Sequence, residues 1–208
     1  MATDTPIESG CEHLRAQALA CRRGGRVLFR HLSLTVTSGQ LLWVRGPNGQ
    51  GKSSLLRLLA GLSHPDDGQI SRTTPIVYLG HQHALKDDLT AQEALGFLVR
   101  LHGGDADESA LLTALARLGV QNRRGALVRT LSQGQRRRVA LARLLLSQPG
   151  ALWILDEPFD ALDDEGIEVV NALIQSHRAS GGAVLLTSHQ ALSLPAITVL
   201  DLAHEVAS

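Results

Sequence analysis

The sequence predicts an α/β fold: a parallel sheet built around a phosphate-binding loop, with an antiparallel β lead-in before it and a helical insert within it. Three observations predict this. Continuous apolar runs alternate with segments of helical period, as expected for strands buried on both faces of a parallel sheet. The stretch Gly46-Pro47-Asn48-Gly49-Gln50-Gly51-Lys52-Ser53-Ser54 matches G-x-x-x-x-G-K-S/T between an apolar strand and a helix. Around residues 83–148 the pattern turns helical before apolar strands resume.

Taken in order, Ala16 to Cys21, a Gly24-Gly25 turn and the alternating Leu32-Ser33-Leu34-Thr35-Val36 read as the antiparallel lead-in. After a Ser38-Gly39 turn, Leu41-Leu42-Trp43-Val44 is the strand that feeds the loop, and Leu55 to Ala60 leaves it as a helix ending near Gly61. Asp66-Asp67-Gly68 reads as a turn, and Ile76 to Leu79 as a strand running into Gly80-His81-Gln82. Thr90 and Glu93 form a capping box for a helix reaching Leu101, which His102-Gly103-Gly104 breaks; Leu111 to Leu118 is a second helix. A third covers Arg136 to Ser147 and stops at Pro149-Gly150. The parallel core then returns with strand Ala151 to Leu155, helix Gly166 to Ser176 and strand Ala183 to Leu186. The whole chain reads as one domain, with its core at residues 14–82 and 149–208 and the helical subdomain at about 83–148.

Composition narrows the function. Twenty basic and twenty acidic side chains cancel, which argues against a broad electrostatic footprint for nucleic acid. Cys11 and Cys21 are too few for a disulfide framework or a zinc site, so a reducing, cytoplasmic compartment fits. Met1 to Gly10 has no basic region followed by an apolar run, so no secretory leader is expected, and no apolar stretch approaches the length of a membrane span.

The chemistry is concentrated at two places. Within the loop, glycines let backbone N–H groups turn toward a phosphate, the helix start adds its positive dipole end, Lys52 reaches the outer phosphates and Ser53 offers a hydroxyl to Mg²⁺. Directly after an apolar strand stand Asp156 and Glu157, two carboxylates with two jobs: Asp156 can hold Mg²⁺ through its water shell, and Glu157 can orient and deprotonate an attacking water. A third feature is Leu131-Ser132-Gln133-Gly134-Gln135 at the start of the third helix, whose free N–H groups and Ser132 hydroxyl suit an anion.

That last stretch resembles the Leu-Ser-Gly-Gly-Gln motif of ABC-transporter ATPases. The rest of the family's pattern follows in order: the phosphate loop, Gln82 after a strand, Leu155-Asp156-Glu157-Pro158, the Ala161-Leu162-Asp163 turn, and His189 after the strand ending at Thr187. The resemblance implies an ATP-binding and ATP-hydrolysing subunit with Mg²⁺, working as a head-to-tail homodimer in which Ser132, Gly134 and Gln135 of one copy complete the site of the other. It implies that Gly46 through Ser54 bind the phosphates, that Ser53, Gln82 and Asp156 attend Mg²⁺, and that Glu157 is the catalytic base. His189 would contact the γ-phosphate, Gln82 would sense the metal and the attacking water, and Asp163 would communicate across the dimer. His81 and His83 are read as ordinary histidines, and Arg136-Arg137-Arg138 as a solvated helix start.

Two positions depart from the pattern. Gln133 replaces the first glycine of the motif, while Gly134, where close approach to phosphate is expected, is retained. Arg23 stands where a tyrosine platform for the base is usual, which leaves the choice between ATP and GTP open. Within the family, Tyr78 to Gln82, Lys86 with Leu89-Thr90-Ala91 and Glu93, Arg100-Leu101-His102-Gly103, and Leu152 to Pro158 resemble the ATP-binding subunit of the haem exporter used in bacterial cytochrome c maturation. This implies a peripheral subunit on the cytoplasmic face of the inner membrane, bound to polytopic membrane subunits and haem-handling maturation proteins. The alternatives are the ATPase of another small-substrate exporter, a soluble ABC protein acting on nucleic acid or ribosomes, and a nucleotide-binding regulator. The soluble type needs a coiled-coil insertion or a second cassette, and the intact Glu157 disfavours a regulator without turnover.

Overall fold

The computed structural model describes residues 10–205. Most of the stretch on which the reading against a leader rests lies outside them. Two sheets organise the chain. Strands β1 (Glu12–Arg23) and β2 (Arg26–Thr37) form an antiparallel hairpin, extended on the other side of β1 by β4 (Asp67–Arg72). The second sheet is parallel throughout, in the order β5 (Ile76–Leu79), β6 (Leu152–Leu155), β7 (Ala183–Thr187), β3 (Leu41–Arg45), β8 (Ile197–Asp201). Helix α1 (Lys52–Leu59) follows β3, and α5 (Asp164–Ala179) precedes β7. Between β5 and β6 come α2 (Ala91–Leu101), α3 (Glu108–Arg117) and α4 (Gln133–Ala142); a short α6 (Leu202–Glu205) closes the described chain.

The alternation of strand side chains divides the interior in two. Leu152 and Ile154 of β6, and Ala183 and Leu185 of β7, join Leu55, Leu56, Leu58 and Leu59 of α1 and the inner face of the β1–β2 hairpin. Trp153, Leu155, Val184 and Leu186, on the opposite pleat, join Leu95, Leu115 and Leu141 of the inserted helices and Ile174 of α5. One sheet therefore separates two cores, which is why β6 is apolar at every position.

Several boundaries differ from expectation. The lead-in strands run longer than Ala16–Cys21 and Leu32–Val36, because their outer ends pair through polar residues that carry no apolar signal. Asp67 and Gly68, expected in a turn, open β4, and β8 was not foreseen. The third helix starts at Gln133, capped by Ser132, and passes at Arg143 into a 3₁₀ turn reaching Leu146. Arg137 corrects the reading of a solvated helix start: it is 1% exposed. Successive helical residues point about 100° apart, so Arg137 falls on the buried face with Ala140, Leu141 and Leu144, while Arg136 and Arg138 flank it.

At the far end of the sheet, His177 of α5 stacks on Trp153 with ring centroids 3.7 Å apart, and its Nε2 donates to Ala151 O at 2.8 Å. Burial lowers its pKa from the ordinary 6.5, and burial likewise lowers that of His13. Both rings therefore stay neutral in the fold while the unfolded chain takes up protons, so their stabilisation is complete above about pH 6.5 and declines as pH falls. His177→Phe, which keeps a flat ring against Trp153 but cannot titrate, should be weaker at pH 7, with Ala151 O left only the longer bond from Ala183 N at 3.4 Å. It should also show a shallower fall in urea-unfolding free energy between about pH 7 and about pH 5 than the native chain.

Candidate functional site

The parallel ladder brings four segments to one edge of the sheet. Leu79, Leu155, Leu186 and Trp43 lie on one rung, and the next few residues after each are those of chemical interest. Behind β3 the loop from Gly46 to Gly51 wraps ahead of α1. Gly51 sits at φ +100°, and a Cβ there would stand 3.0 Å from Leu28 Cβ of β2, so both conformation and space require glycine. Gly51 is the N-cap of α1 and brings no side chain to cap it. The first N–H groups of α1 are left for an external acceptor, at the positive end of the helix dipole. Lys52 is nearly buried, its Nζ donating to Gly46 O at 2.7 Å and Pro47 O at 3.3 Å. Those carbonyls hold the ammonium where phosphate oxygens would replace them.

Beyond β6, Asp156 and Glu157 are both buried. Thr187, the last residue of β7, ties them down: its hydroxyl donates to Asp156 Oδ1 at 2.8 Å and accepts from Glu157 N at 2.9 Å. Glu157 adopts φ +51°, a left-handed backbone that costs a residue other than glycine about 1–3 kcal/mol. His189 closes the other side. Its N–H donates to Glu157 Oε2 at 2.9 Å, and its Nε2 lies 3.4 Å from Oε1. Burial raises the Glu157 pKa, and the neighbouring His189 partly offsets this. A half-open cleft of about 430 Å³ joins Asn48, Gly49, Gly51, Lys52, Ser53 and Ser54 to Asp156, Glu157 and His189. Arg23 and Leu28 of the hairpin line its rim. The arrangement offers donors for a chain of phosphates and a buried carboxylate for a water proton.

Not every expected residue meets there. Gln82 is exposed and faces a neighbouring cleft with Leu85, Gln133 and Ala161 but not the nucleotide-sized one; His81, read as an ordinary histidine, stands with Asp160 between the two and borders both. His81 Nδ1 is 3.5 Å from Asp160 Oδ2. Ser132 and Gln135 are engaged with each other in a capping box, Gln135 N to Ser132 Oγ at 3.2 Å and Ser132 N to Gln135 Oε1 at 3.0 Å. They do not line the cleft of their own chain. Asp163 caps α5 by accepting from Gly166 N at 3.0 Å, and it pairs with Arg138. Gly134 has a reason beyond phosphate approach: a Cβ there would lie 2.6 Å from Ala161 O.

Sequence reasoning missed Thr187, His81, Asp160 and Arg137. A polar residue ending the otherwise apolar run of β7 was the available sign of Thr187. Arg137 stands at the helical spacing of Ala140, Leu141 and Leu144, a sign that its face is buried. Nothing in the sequence favoured His81 over Gln82.

The ABC transporter family matches residues 29–160. The chain belongs to that family and is an ATP-binding, ATP-hydrolysing subunit. It is 46% identical over 203 residues to the cytochrome c biogenesis ATP-binding export protein CcmA of Nitrosomonas europaea, covering 92% of this chain and 95% of that protein. The protein of the same name from Aromatoleum aromaticum is 47% identical with both chains fully covered. Among solved structures, one described as an ABC-transporter ATP-binding protein from Pyrococcus furiosus shares the fold at a TM-score of 0.80 and 23% identity, covering 93% of this chain and 98% of that one. An ATP-binding subunit of an ABC transporter follows at 0.76 and 25%, covering 85% of this chain and 79% of that one.

Because the obstacle at Gly134 is backbone, Gly134→Ala should lower unfolding free energy by about 1–3 kcal/mol, read from the urea midpoint. An unchanged midpoint would show that the Ala161 turn gives way freely.

Proposed function

We propose that the chain is the ATPase subunit of an exporter serving cytochrome c maturation, powering haem export or the release of a haem-loaded chaperone. The observation that carries this is the 46–47% identity, along nearly the whole chain, to proteins named for ATP-binding export in cytochrome c biogenesis. The chemistry of the cleft supports the ATPase step.

In this reading the N–H groups from Gly49 to Ser53 and the Lys52 ammonium bind the phosphates, Lys52 exchanging the Gly46 and Pro47 carbonyls for phosphate oxygens. Ser53 and Asp156, which line the cleft, would hold Mg²⁺, and Gln82 would attend it only once its loop moved in from the neighbouring cleft. No group of three or more His, Cys, Asp or Glu that could hold a metal occurs among the described residues. Two protein oxygens suit a hard cation that takes its remaining ligands from phosphates and water. When bound, Mg²⁺ neutralises charge on the phosphate oxygens. Glu157, its pKa raised by burial, accepts the proton of the attacking water, and His189 orients the Glu157 carboxylate and faces the γ-phosphate.

The own-chain cleft lacks Ser132, Gly134 and Gln135, and a second copy docked head to tail would supply them. Asp163, at the turn beside that helix start, would then lie at the seam. The helical segment 83–148 acts as a unit that meets polytopic membrane subunits through the Gln82 stretch. No described helix is long and apolar enough to cross a membrane; the relatives' role in export supports a peripheral position for the proposed subunit, on the cytoplasmic face of the inner membrane. The guanidiniums of Arg136, Arg137 and Arg138 are engaged within the chain, which disfavours direct nucleic-acid binding.

Two measurements test the proposal. Glu157→Gln should bind ATP with near-native affinity and accumulate as an ATP-bound dimer on size exclusion, while phosphate release falls about 100-fold or more; near-native release would remove the base assignment. Gentle detergent purification from native membranes should bring down polytopic proteins together with haem-handling components. Recovery with an exporter that handles no haem would redirect the cargo.

A further inference from the structure

Arg137 is the largest side chain among the fully buried residues, and no function has so far been attached to it. Its guanidinium carries five N–H donors, and each has an acceptor. Nε donates to Pro158 O at 3.2 Å; Nη1 to Gly80 O at 3.1 Å and toward His83 Nδ1 at 3.4 Å; Nη2 to Asp156 O at 3.0 Å and Glu157 O at 2.6 Å. Four of these acceptors are backbone carbonyls belonging to two segments that leave the sheet side by side. The ladder between β5 and β6 pairs Leu79 with Leu155, and Asp156 N still donates to Leu79 O at 2.8 Å. Past that point the strands end, and the guanidinium takes over the cross-links that a ladder would have made.

We propose that Arg137 is a positioning residue for ATP hydrolysis: by clamping Gly80 to the Asp156–Pro158 turn, it holds the Glu157 backbone in its left-handed conformation and couples the Gln82 segment to the base. The inference rests on the reading of Glu157 as the base. It follows from the geometry of the fork. Glu157 N is held by Thr187 and its Oε2 by His189 N, with Oε1 3.4 Å from His189 Nε2, but its carbonyl is held by Arg137 and by Asp160 N at 3.2 Å. Without the guanidinium, the turn loses the shorter of the two bonds that hold the Glu157 carbonyl against relaxation, leaving only that from Asp160 N. The Gly80 carbonyl, two residues before Gln82, loses its link to the same turn. A lysine cannot substitute, because it offers a single point with three donors in place of a planar fork with five.

The test uses the full chain purified with its co-purifying membrane proteins. Arg137→Leu strands buried carbonyls and threatens folding, so Arg137→Lys and Arg137→Gln are the informative variants. Arg137→Lys should lower kcat about tenfold and Arg137→Gln about a hundredfold, each with KM for ATP within about twofold of native, the pattern of a lost transition-state contribution. Amide exchange should quicken in peptides spanning residues 79–83 and 155–160 while α1 keeps its native protection. Native kcat in Arg137→Lys overturns the proposal. So does a loss shared by kcat and KM with exchange faster along the whole chain, since that is general destabilisation. Glu157→Gln is run beside them: if that variant turns over normally, the base assignment fails. If it is inactive while Arg137→Lys is native, only the positioning role fails.

Discussion

The register of the parallel sheet is the constraint on which the site depends. Because β5, β6, β7 and β3 run in one direction with Leu79, Leu155, Leu186 and Trp43 on a single rung, the segments carrying Gln82, Glu157, His189 and Lys52 all emerge from the same edge. Neighbouring strands are about 4.8 Å apart, so β6 and β3, with β7 between them, set the base and the phosphate loop about 10 Å apart. Thr187 occupies the strand in the middle and reaches both residues of the acidic pair. Slipping one strand by a residue would reverse its pleat, sending apolar side chains to the wrong core. Two cores, one on each side of the sheet, thereby enforce the alignment that chemistry needs.

Much of this was legible in the sequence because the signals are local. A glycine loop between an apolar strand and a helix, or a carboxylate pair after a continuous apolar run, places a residue without knowledge of its distant neighbours. Position in the chain also sufficed for His189. What was not legible depends on contacts between segments far apart. β4 pairs through Gln69 and Arg72 on a half-exposed sheet, so its alternation was weak, and Asp67-Gly68 resembled a turn until its antiparallel partner was known. That His81 borders both clefts while Gln82 borders only one depends on how a loop is laid down, and no periodicity records that.

Arg137 teaches a different lesson. Its charge suggested solvent, and its helical phase suggested the interior; phase was the better guide. Burying a guanidinium is tolerable here because each donor is matched and because the carboxylates of Asp156, Glu157 and Asp160 lie near, although burial still lowers its pKa to about 10. Burial, helped by the same Arg137 charge, holds His83 down at about 4, leaving that ring neutral with its Nδ1 free to accept. A polar network inside an apolar core was therefore built around the two segments where position matters most.

The close contact between Gly134 and Ala161 has a mechanical meaning. With the Arg138–Asp163 pair beside it, the start of α4 and the turn entering α5 are seated on each other with no side chain between them. They are packed as one piece. In the proposed head-to-tail pair, that piece carries Ser132 toward the nucleotide held by the other copy, while Asp160 at its opposite end borders the nucleotide of its own. In that arrangement a displacement imposed by either nucleotide would reach the other through this one contact, and the two ATP sites would share a lever.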